Sequence, residues 1–303
     1  MKALVTGAAG FIGSNLCWEL AARGWSVVAL DDFSAGTFEN LRGFPGDVVA
    51  ADFGDTAYWG PRVGKIDAVF HQAAITDTTV TDQRLMMQVN VESFRDLLAW
   101  AAKAKVKKVV YASSAGTYGD APVPQREDSE LRAMNVYGFS KMVMETVAGS
   151  AKGVKTAGLR YFNVFGPRET HKNKAASMIW QLSLQMKAGR RPRIFEFGEQ
   201  YRDFIYVKDV VEANIKAFET AAPGAYNVCT GRKTDFNGVV AGLNAALGLN
   251  LQPEYIKNPY SFYQNETLGD PAKAQKAFGF RAQWPMERAV PDYFKSFRAP
   301  VGV

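Results

Sequence analysis

Between the apolar run Ala3 to Thr6 and the helix-patterned stretch Phe11 to Ala22 stands Gly7-Ala8-Ala9-Gly10-Phe11-Ile12-Gly13. Three glycines in a turn that joins a strand to a helix constrain the fold strongly, because they let the helix and its neighbouring backbone approach the strand closely. The unpaired N–H groups at the start of such a helix also favour an anion placed over the turn. Gly24, just past Arg23, suits a C-terminal cap, and the apolar run Ser26 to Leu30 then leads into Asp31. Short apolar strands and helical stretches go on alternating through Ala68 to His71, Val91 to Ala102 and Lys108 to Ala112. That alternation predicts right-handed parallel βαβ units, hence an α/β, Rossmann-type doubly wound parallel sheet.

After about residue 165 the texture changes, with Gly166-Pro167, the polar stretch Glu169 to Lys174 and a helix-like segment from Ala175 to Ala188. Phe204 to Val207 and Ala225 to Val228 read as strands returning to the first sheet, while Phe236 to Leu247 and Pro271 to Ala277 read as helices. The expected division is a dinucleotide-binding domain over 1–165 with return segments near 203–230, and a smaller mixed α/β C-terminal substrate lobe over 166–303, mainly 166–202 and 231–303. A chain of 303 residues is long enough for this.

Composition excludes more than it selects. No apolar stretch approaches the roughly 18 residues of a membrane span, and Met1-Lys2-Ala3-Leu4-Val5 enters the glycine turn instead of a signal-peptide core, so a cytoplasmic location is expected, with no membrane partner. Cys17 and Cys229 lie far apart in apolar segments and form no metal-ligand spacing, which implies neither disulfide nor metal. The net charge of +6 is modest and its densest pieces read as solvated helix ends or loops, so nucleic acid is not indicated. A basic excess also suits an anionic small substrate.

A glycine turn alone is weak evidence for a nucleotide, but here it opens a βαβ unit and Asp31 ends the second strand, where a carboxylate accepts both ribose hydroxyls of an adenosine. A 2′-phosphate would face Asp31-Asp32 with no arginine or lysine before Arg42, which predicts NAD over NADP. Asp52 reads either as a partner for the adenine amine or as an exposed loop acid, and Ala73-Ala74 offers small residues where backbone passes close to the cofactor. With Phe11, Ile12, Phe53 and Asn90, and with Tyr137 and Lys141 below, these residues make up the expected cofactor set. The chemistry falls to Ser113-Ser114-Ala115 and Tyr137-Gly-Phe-Ser-Lys141. Residues four apart share a helix face, so Lys141 lies beside Tyr137 and favours its phenolate, while a serine hydroxyl orients the substrate oxygen. A free tyrosine, with a pKa of about 10, is otherwise a poor base at neutral pH.

Gly7-x-x-Gly10-x-x-Gly13, Asp31, Ser114, Tyr137 and Lys141 together resemble the extended short-chain dehydrogenase/reductase superfamily, along essentially the whole chain. Within it the sequence is most similar to the ADP-glyceromanno-heptose 6-epimerases. The segments that carry this are Ile75-Thr76-Asp77-Thr78-Thr79 with Met86-Met87, Asn135 to Lys141, Arg160 to Glu169 with His171-Lys172, and Arg202 to Val207. The resemblance implies an enzyme that inverts C6 of the heptose in an ADP-sugar used for lipopolysaccharide core, by transient oxidation with a tightly held NAD. It implies Tyr137 as acid/base for one epimer and Lys172 for the other, and Ser114 as the alcohol's hydrogen-bond partner. Asn163 and Arg202 would anchor the diphosphate, and Thr76, His171, Glu196 and Tyr263 would complete the substrate set. It also implies a homo-oligomer, associating through the helices that contain Val91 to Ala102 and Tyr137 to Val147.

Other readings stay open at this point. Lys172 is either the second acid/base or one solvated charge beside Lys174. Ala35-Gly36-Thr37-Phe38 lacks the lysine with which family members often accept an NADP phosphate, which supports NAD and departs from the heptose enzymes. An NAD-dependent UDP-hexose 4-epimerase shares nearly every cofactor residue. A 4,6-dehydratase would need an acid pair where Ser114 to Tyr118 stands, and a dehydrogenase would release altered cofactor at each turnover. A non-catalytic dinucleotide sensor would have no use for the Ser114, Tyr137 and Lys141 set.

Overall fold

The computed structural model of the chain describes residues 1–78, 80–258 and 266–295; Tyr263 lies outside them. In chain order the first half runs β1 (Lys2–Thr6), α1 (Phe11–Ala22), β2 (Ser26–Asp31), β3 (Asp47–Ala50), α2 (Thr56–Trp59), β4 (Ala68–His71), α3 (Gln83–Met87), α4 (Ser93–Lys103), β5 (Lys108–Ser114) and α5 (Val136–Ser150). Then follow β6 (Lys155–Tyr161), β7 (Asn163–Phe165), α6 (Met178–Lys187), β8 (Arg193–Phe195), β9 (Tyr201–Arg202), β10 (Phe204–Tyr206), α7 (Val207–Thr220) and β11 (Gly224–Val228). The described chain closes with β12 (Thr234–Asp235), α8 (Phe236–Leu247), β13 (Glu254–Ile256), α9 (Ala272–Phe278) and α10 (Met286–Lys295).

Seven strands form one sheet in the order β11-β6-β5-β4-β1-β2-β3, every pair parallel. This is the doubly wound arrangement, with β1 and β4 adjacent where the winding reverses. One face packs Leu16, Cys17 and Leu20 of α1 and Val210, Ile215 and Phe218 of α7. The other packs Trp59, Phe94, Leu97 and Met144 from α2, α4 and α5. Near-continuous apolar strands such as β4, buried at all four positions, follow from this two-sided cover. A third cluster joins α6, α8 and α10 around Ile179, Leu182, Val239, Leu243 and Tyr293.

Of the two expected returns, only the second rejoins the sheet. β11 does rejoin the sheet beside β6, but Phe204 to Tyr206 pairs in parallel with Asn163–Phe165 in a two-stranded ladder of its own. The reason is a bend after β6: Phe162 donates its N–H to the Val228 carbonyl and Asn163 donates to the Asp203 carbonyl, so the chain leaves the main sheet there. The helix expected from Val91 begins earlier, as α3, and reaches α4 through a π-helical turn over Gln88–Glu92.

Candidate active site

The C-terminal ends of the parallel strands open on one edge, and the groups that carry chemistry collect there. At the end of β1, Gly7 takes φ +66°, and a Cβ on it would lie 2.5 Å from the Ala73 nitrogen. A Cβ at Gly13 would lie 2.0 Å from the Gly7 carbonyl oxygen. Both positions therefore require glycine, the first by conformation and both by space. Helix α1 starts at Gly10 with no side-chain cap, which leaves its first-turn N–H groups for a phosphate. Asp31 is held facing the turn, one oxygen accepting from the Ala9 N–H (2.9 Å) and the other from the Phe33 N–H (2.8 Å). Burial raises its pKa above the ordinary carboxylate value. Asp32 folds back on the Ser34 N–H and hydroxyl, and Asp52 accepts from the Gly54 N–H while half of the loop stays open to solvent. Phe53 is buried against His71, and Ala73 and Ala74 follow β4 past the glycine turn. A dinucleotide fits this cradle: glycines where Cβ atoms would fill it, an uncapped helix N-terminus, and two carboxylates that disfavour a 2′-phosphate.

Asn90, expected in the cofactor set, is bonded to two neighbouring segments of the site. Its amide accepts from the Ile75 N–H (2.8 Å) and donates to the Ile75 carbonyl (3.1 Å) and to Ser140 Oγ (3.0 Å). Ser140 in turn donates to the Tyr137 carbonyl (2.7 Å). The π-helical turn thus ties the loop that bears exposed Thr76 to the helix that bears Tyr137.

Ser114 ends β5, and Tyr137 and Lys141 sit in the first turns of α5. Asn135 caps that helix, its side-chain oxygen accepting from the Gly138 N–H at 2.8 Å. A Cβ at Gly138 would lie 2.5 Å from the Gly116 carbonyl, so glycine there lets α5 press against the turn that follows Ser114. The Ser114 hydroxyl accepts from the Gly116 N–H (3.0 Å) and faces the Tyr137 phenol. Lys141 is 1 % exposed, donates to the Ala112 carbonyl at 2.9 Å, and places Nζ 5.8 Å from the centre of the Tyr137 ring. Burial raises the Tyr137 phenol, with the Ser114 hydroxyl opposing, and lowers Lys141 to about 7, with Glu145 opposing.

The segment Gly166 to Ala175 is a strap laid against the cofactor turn. Asn15 donates to the Pro167 carbonyl and accepts from Arg168 (3.1 Å), and Asn40 donates to the carbonyls of Ala9 and Arg168. Its anchor is Glu169, whose buried carboxylate accepts from the Gly166 N–H (3.0 Å), the Ser177 N–H (2.6 Å) and the Ser177 hydroxyl (2.9 Å). Lys172 is half-buried, with Nζ 5.8 Å from the centre of the Phe11 ring at the start of α1. Burial lowers its pKa and Glu169 opposes the shift. Lys174, two residues on, is exposed. His171 turns to the Asn40 amide, 3.3 Å from Nδ1, so its visible contact is to the loop after β2.

Asn163 pairs with Phe204 and donates its N–H to the carbonyl of Asp203 (3.1 Å), the residue that follows Arg202; Arg202 itself pairs with Thr234 of β12. Arg202 is buried, donates to the Tyr201 carbonyl (2.9 Å) and lies over the Phe236 ring. Glu196, at φ +50°, accepts from the Asn258 N–H (3.1 Å). Asn40 and Glu145 were not among the expected site residues. Glu145 stands four positions after Lys141, a spacing that puts it on the same helix face; Asn40 has no such local signal, since its partners are up to 131 residues away.

A seven-stranded parallel sheet with this turn and this Ser, Tyr and Lys arrangement defines a nucleotide-dependent oxidoreductase-type site of the extended short-chain dehydrogenase/reductase class. Residues 3–229 match the model of the NAD dependent epimerase/dehydratase family, and the chain belongs to that family, with NAD as its cofactor. It is similar to the ADP-L-glycero-D-manno-heptose-6-epimerase of Helicobacter pylori, at 39% identity and a TM-score of 0.92, covering 99% of this chain and 96% of that one. It is also similar to UDP-glucose 4-epimerase of Thermotoga maritima, solved with UDP-glucose, at 29% identity and a TM-score of 0.90 over 98% of this chain and 99% of that one. UDP-glucuronic acid 4-epimerase of Bacillus cereus, solved with UDP-glucuronic acid and NAD, matches at 25% identity and a TM-score of 0.85 over 98% of this chain and 100% of that one. Among the described residues no helix is long and apolar enough to cross a membrane.

Proposed function

We propose that the chain is a nucleotide-sugar epimerase that inverts C6 of ADP-glycero-manno-heptose. The observation that carries this reading is the strap, which presents Lys172 at the start of α1 while Ser114 ends β5 and Tyr137 stands in the first turn of α5. Two proton-transfer groups on separate elements suit a reaction that must serve both faces of one carbinol carbon, and the identity to the heptose enzyme favours that substrate. When bound, NAD supplies the reversible two-electron acceptor for that carbon, held by Gly7, Gly10, Gly13 and Asp31. Ser114 orients the sugar hydroxyl, Tyr137 takes its proton in one epimer, and Lys172 does so in the other. Lys141 supports the Tyr137 phenolate, and Asn163 and Arg202 hold the diphosphate. The strap, locked by Glu169 and Asn40, keeps water from the turn and holds the cofactor through turnover.

The same reading places the enzyme in the cytoplasm, divides the chain into a dinucleotide domain over 1–165 with returns near 203–230 and a substrate lobe over the rest, and pairs copies through α4 and α5, where Phe139 is half-exposed to solvent. Incubation with ADP-D-glycero-D-manno-heptose and, separately, UDP-galactose, with products resolved by proton NMR, tests it. Conversion of the heptose to its C6 epimer is the expected result; conversion of UDP-galactose alone would keep the chemistry and replace the substrate.

A further inference from the structure

Lys141 needs a reason to stay charged. It is buried and its one visible hydrogen bond is to a neutral carbonyl. The groups facing it are the Tyr137 phenol and Glu145 on its own helix and the His71 ring on β4; beyond Glu145 stand Arg160 on β6 and Tyr111 on β5. His71 is held neutral by burial, and the Tyr137 and Tyr111 phenols by theirs. The carboxylate of Glu145 is the anion of this group.

That carboxylate is also a joint between the elements that carry the site. One oxygen accepts from Ser113 Oγ at 2.6 Å and from Arg160 Nε at 2.9 Å, and the other accepts from Arg160 Nη2 at 2.7 Å. Its side chain is 12 % exposed and that of Arg160 5 %. Arg160 goes on to the Tyr118 hydroxyl at 2.8 Å, which donates to Asn227 Oδ1 at 2.6 Å. Ser113 immediately precedes Ser114, Arg160 lies three residues before Asn163, and Lys141 is one turn back on the helix. A side chain placed only for stability would be better replaced by packed apolar groups, because two buried charges must be desolvated.

We propose that Glu145 is a positioning residue for the reaction: its carboxylate fixes the strand that ends in Ser114 against the helix of Tyr137 and Lys141, and supplies the negative charge that keeps Lys141 an ammonium beside the phenol. This rests on the assignment of Tyr137 as acid/base. Removing the charge acts on Lys141 in one direction, because the lost anion and the newly unpaired Arg160 both disfavour its ammonium, while the same two changes favour the Tyr137 phenolate directly, so the effect is read at Lys141.

The test is Glu145→Gln in the full-length, NAD-loaded enzyme, with two readouts. The first needs no sugar: the lysine Cε carbons are titrated by NMR in each protein and in the same protein carrying Lys141→Met, and the difference isolates the Lys141 step. In E145Q this step moves down by roughly one to two pH units, the order expected for one charge a helical turn away at an effective dielectric of about 20. The second is the pH profile of ADP-heptose epimerisation, whose alkaline limb moves down with it while KM stays within about threefold. A lower melting temperature with the Lys141 step and the alkaline limb both unmoved would overturn the proposal. If Tyr137→Phe itself keeps wild-type turnover, the acid/base assignment fails instead, and the two failures are separate. Should E145Q not fold, Glu145→Asp carries the test, since it keeps the charge and withdraws the carboxylate from Ser113. Turnover at least about fivefold lower with an unmoved alkaline limb supports the proposal, and wild-type turnover refutes it.

Discussion

Gly13→Ala is the sharpest single perturbation of the cofactor cradle. The added methyl would stand 2.0 Å from the Gly7 carbonyl oxygen, 2.8 Å from its carbon and 3.1 Å from Ala8 Cα, all backbone atoms of the turn. The shortest of these is about 1.4 Å inside ordinary contact, so neither a rotamer change nor a small breathing motion relieves it. Either α1 moves away from β1 or the turn opens. In a helix, alanine in place of glycine gains about 0.5–1 kcal/mol, whereas overpacking of this kind costs about 1–3 kcal/mol or more, so the net sign is destabilising. Opening the turn withdraws the N–H groups from the pyrophosphate, and a loss of about 3 kcal/mol in binding corresponds to a weakening of roughly 150-fold in Kd. Calorimetric titration with NAD and thermal unfolding measure the two effects. Gly242→Ala is the control: it sits within α8 with nothing within 4 Å of an added Cβ, and the melting temperature there should hold or rise. Unchanged NAD affinity in Gly13→Ala would refute the placement of the cofactor on this turn.

Three further outcomes are expected. Lys172→Met should lower turnover by two or more orders of magnitude with NAD binding retained, while Lys174→Met, at an exposed neighbour, should stay near wild type; equal, near-wild-type rates in both would remove the second acid/base. NAD should bind more tightly than NADP because Asp31 and Asp32 stand together at the end of β2, where a 2′-phosphate on the adenosine ribose would meet two carboxylates, and tighter binding of NADP would reverse that reading. Stability of the apoprotein should rise with pH above about 7, because Lys141 has a folded pKa near that value and an ordinary one when unfolded, so the unfolded chain binds the extra proton between the two. Lys141→Met should flatten this part of the curve of unfolding free energy against pH; a slope that persists in the variant would assign it to another group.

The βαβ half of the fold is legible because its signals are local. The glycine turn, the apolar runs of β1, β2 and β4, and the helix Phe11–Ala22 lie where the pattern puts them. β10 shows where this stops: an apolar run of three buried residues marks a buried strand and not its partner, and a bend at Phe162 sends it to β7 instead of the main sheet. The π-helical turn before α4 is equally silent, since one extra residue in a turn leaves the apolar spacing nearly intact. At the site, the spacing of Tyr137 and Lys141 is a helix property and readable as such. The docking of the strap depends on Asn15 and Asn40 meeting residues more than a hundred positions away, and no periodicity encodes it.

Transient oxidation of the epimerised carbon is the claim on which the rest depends, and isotope retention tests it most directly. ADP-D-glycero-D-manno-heptose carrying deuterium at C6 is incubated with the NAD-loaded enzyme in ordinary water, and the epimer is analysed by mass and by proton NMR. Retention of the deuterium at C6 in the inverted product is the predicted result, since the hydrogen removed is the one returned. Inversion with deuterium replaced by solvent hydrogen would mean proton abstraction from carbon, and would contradict the account.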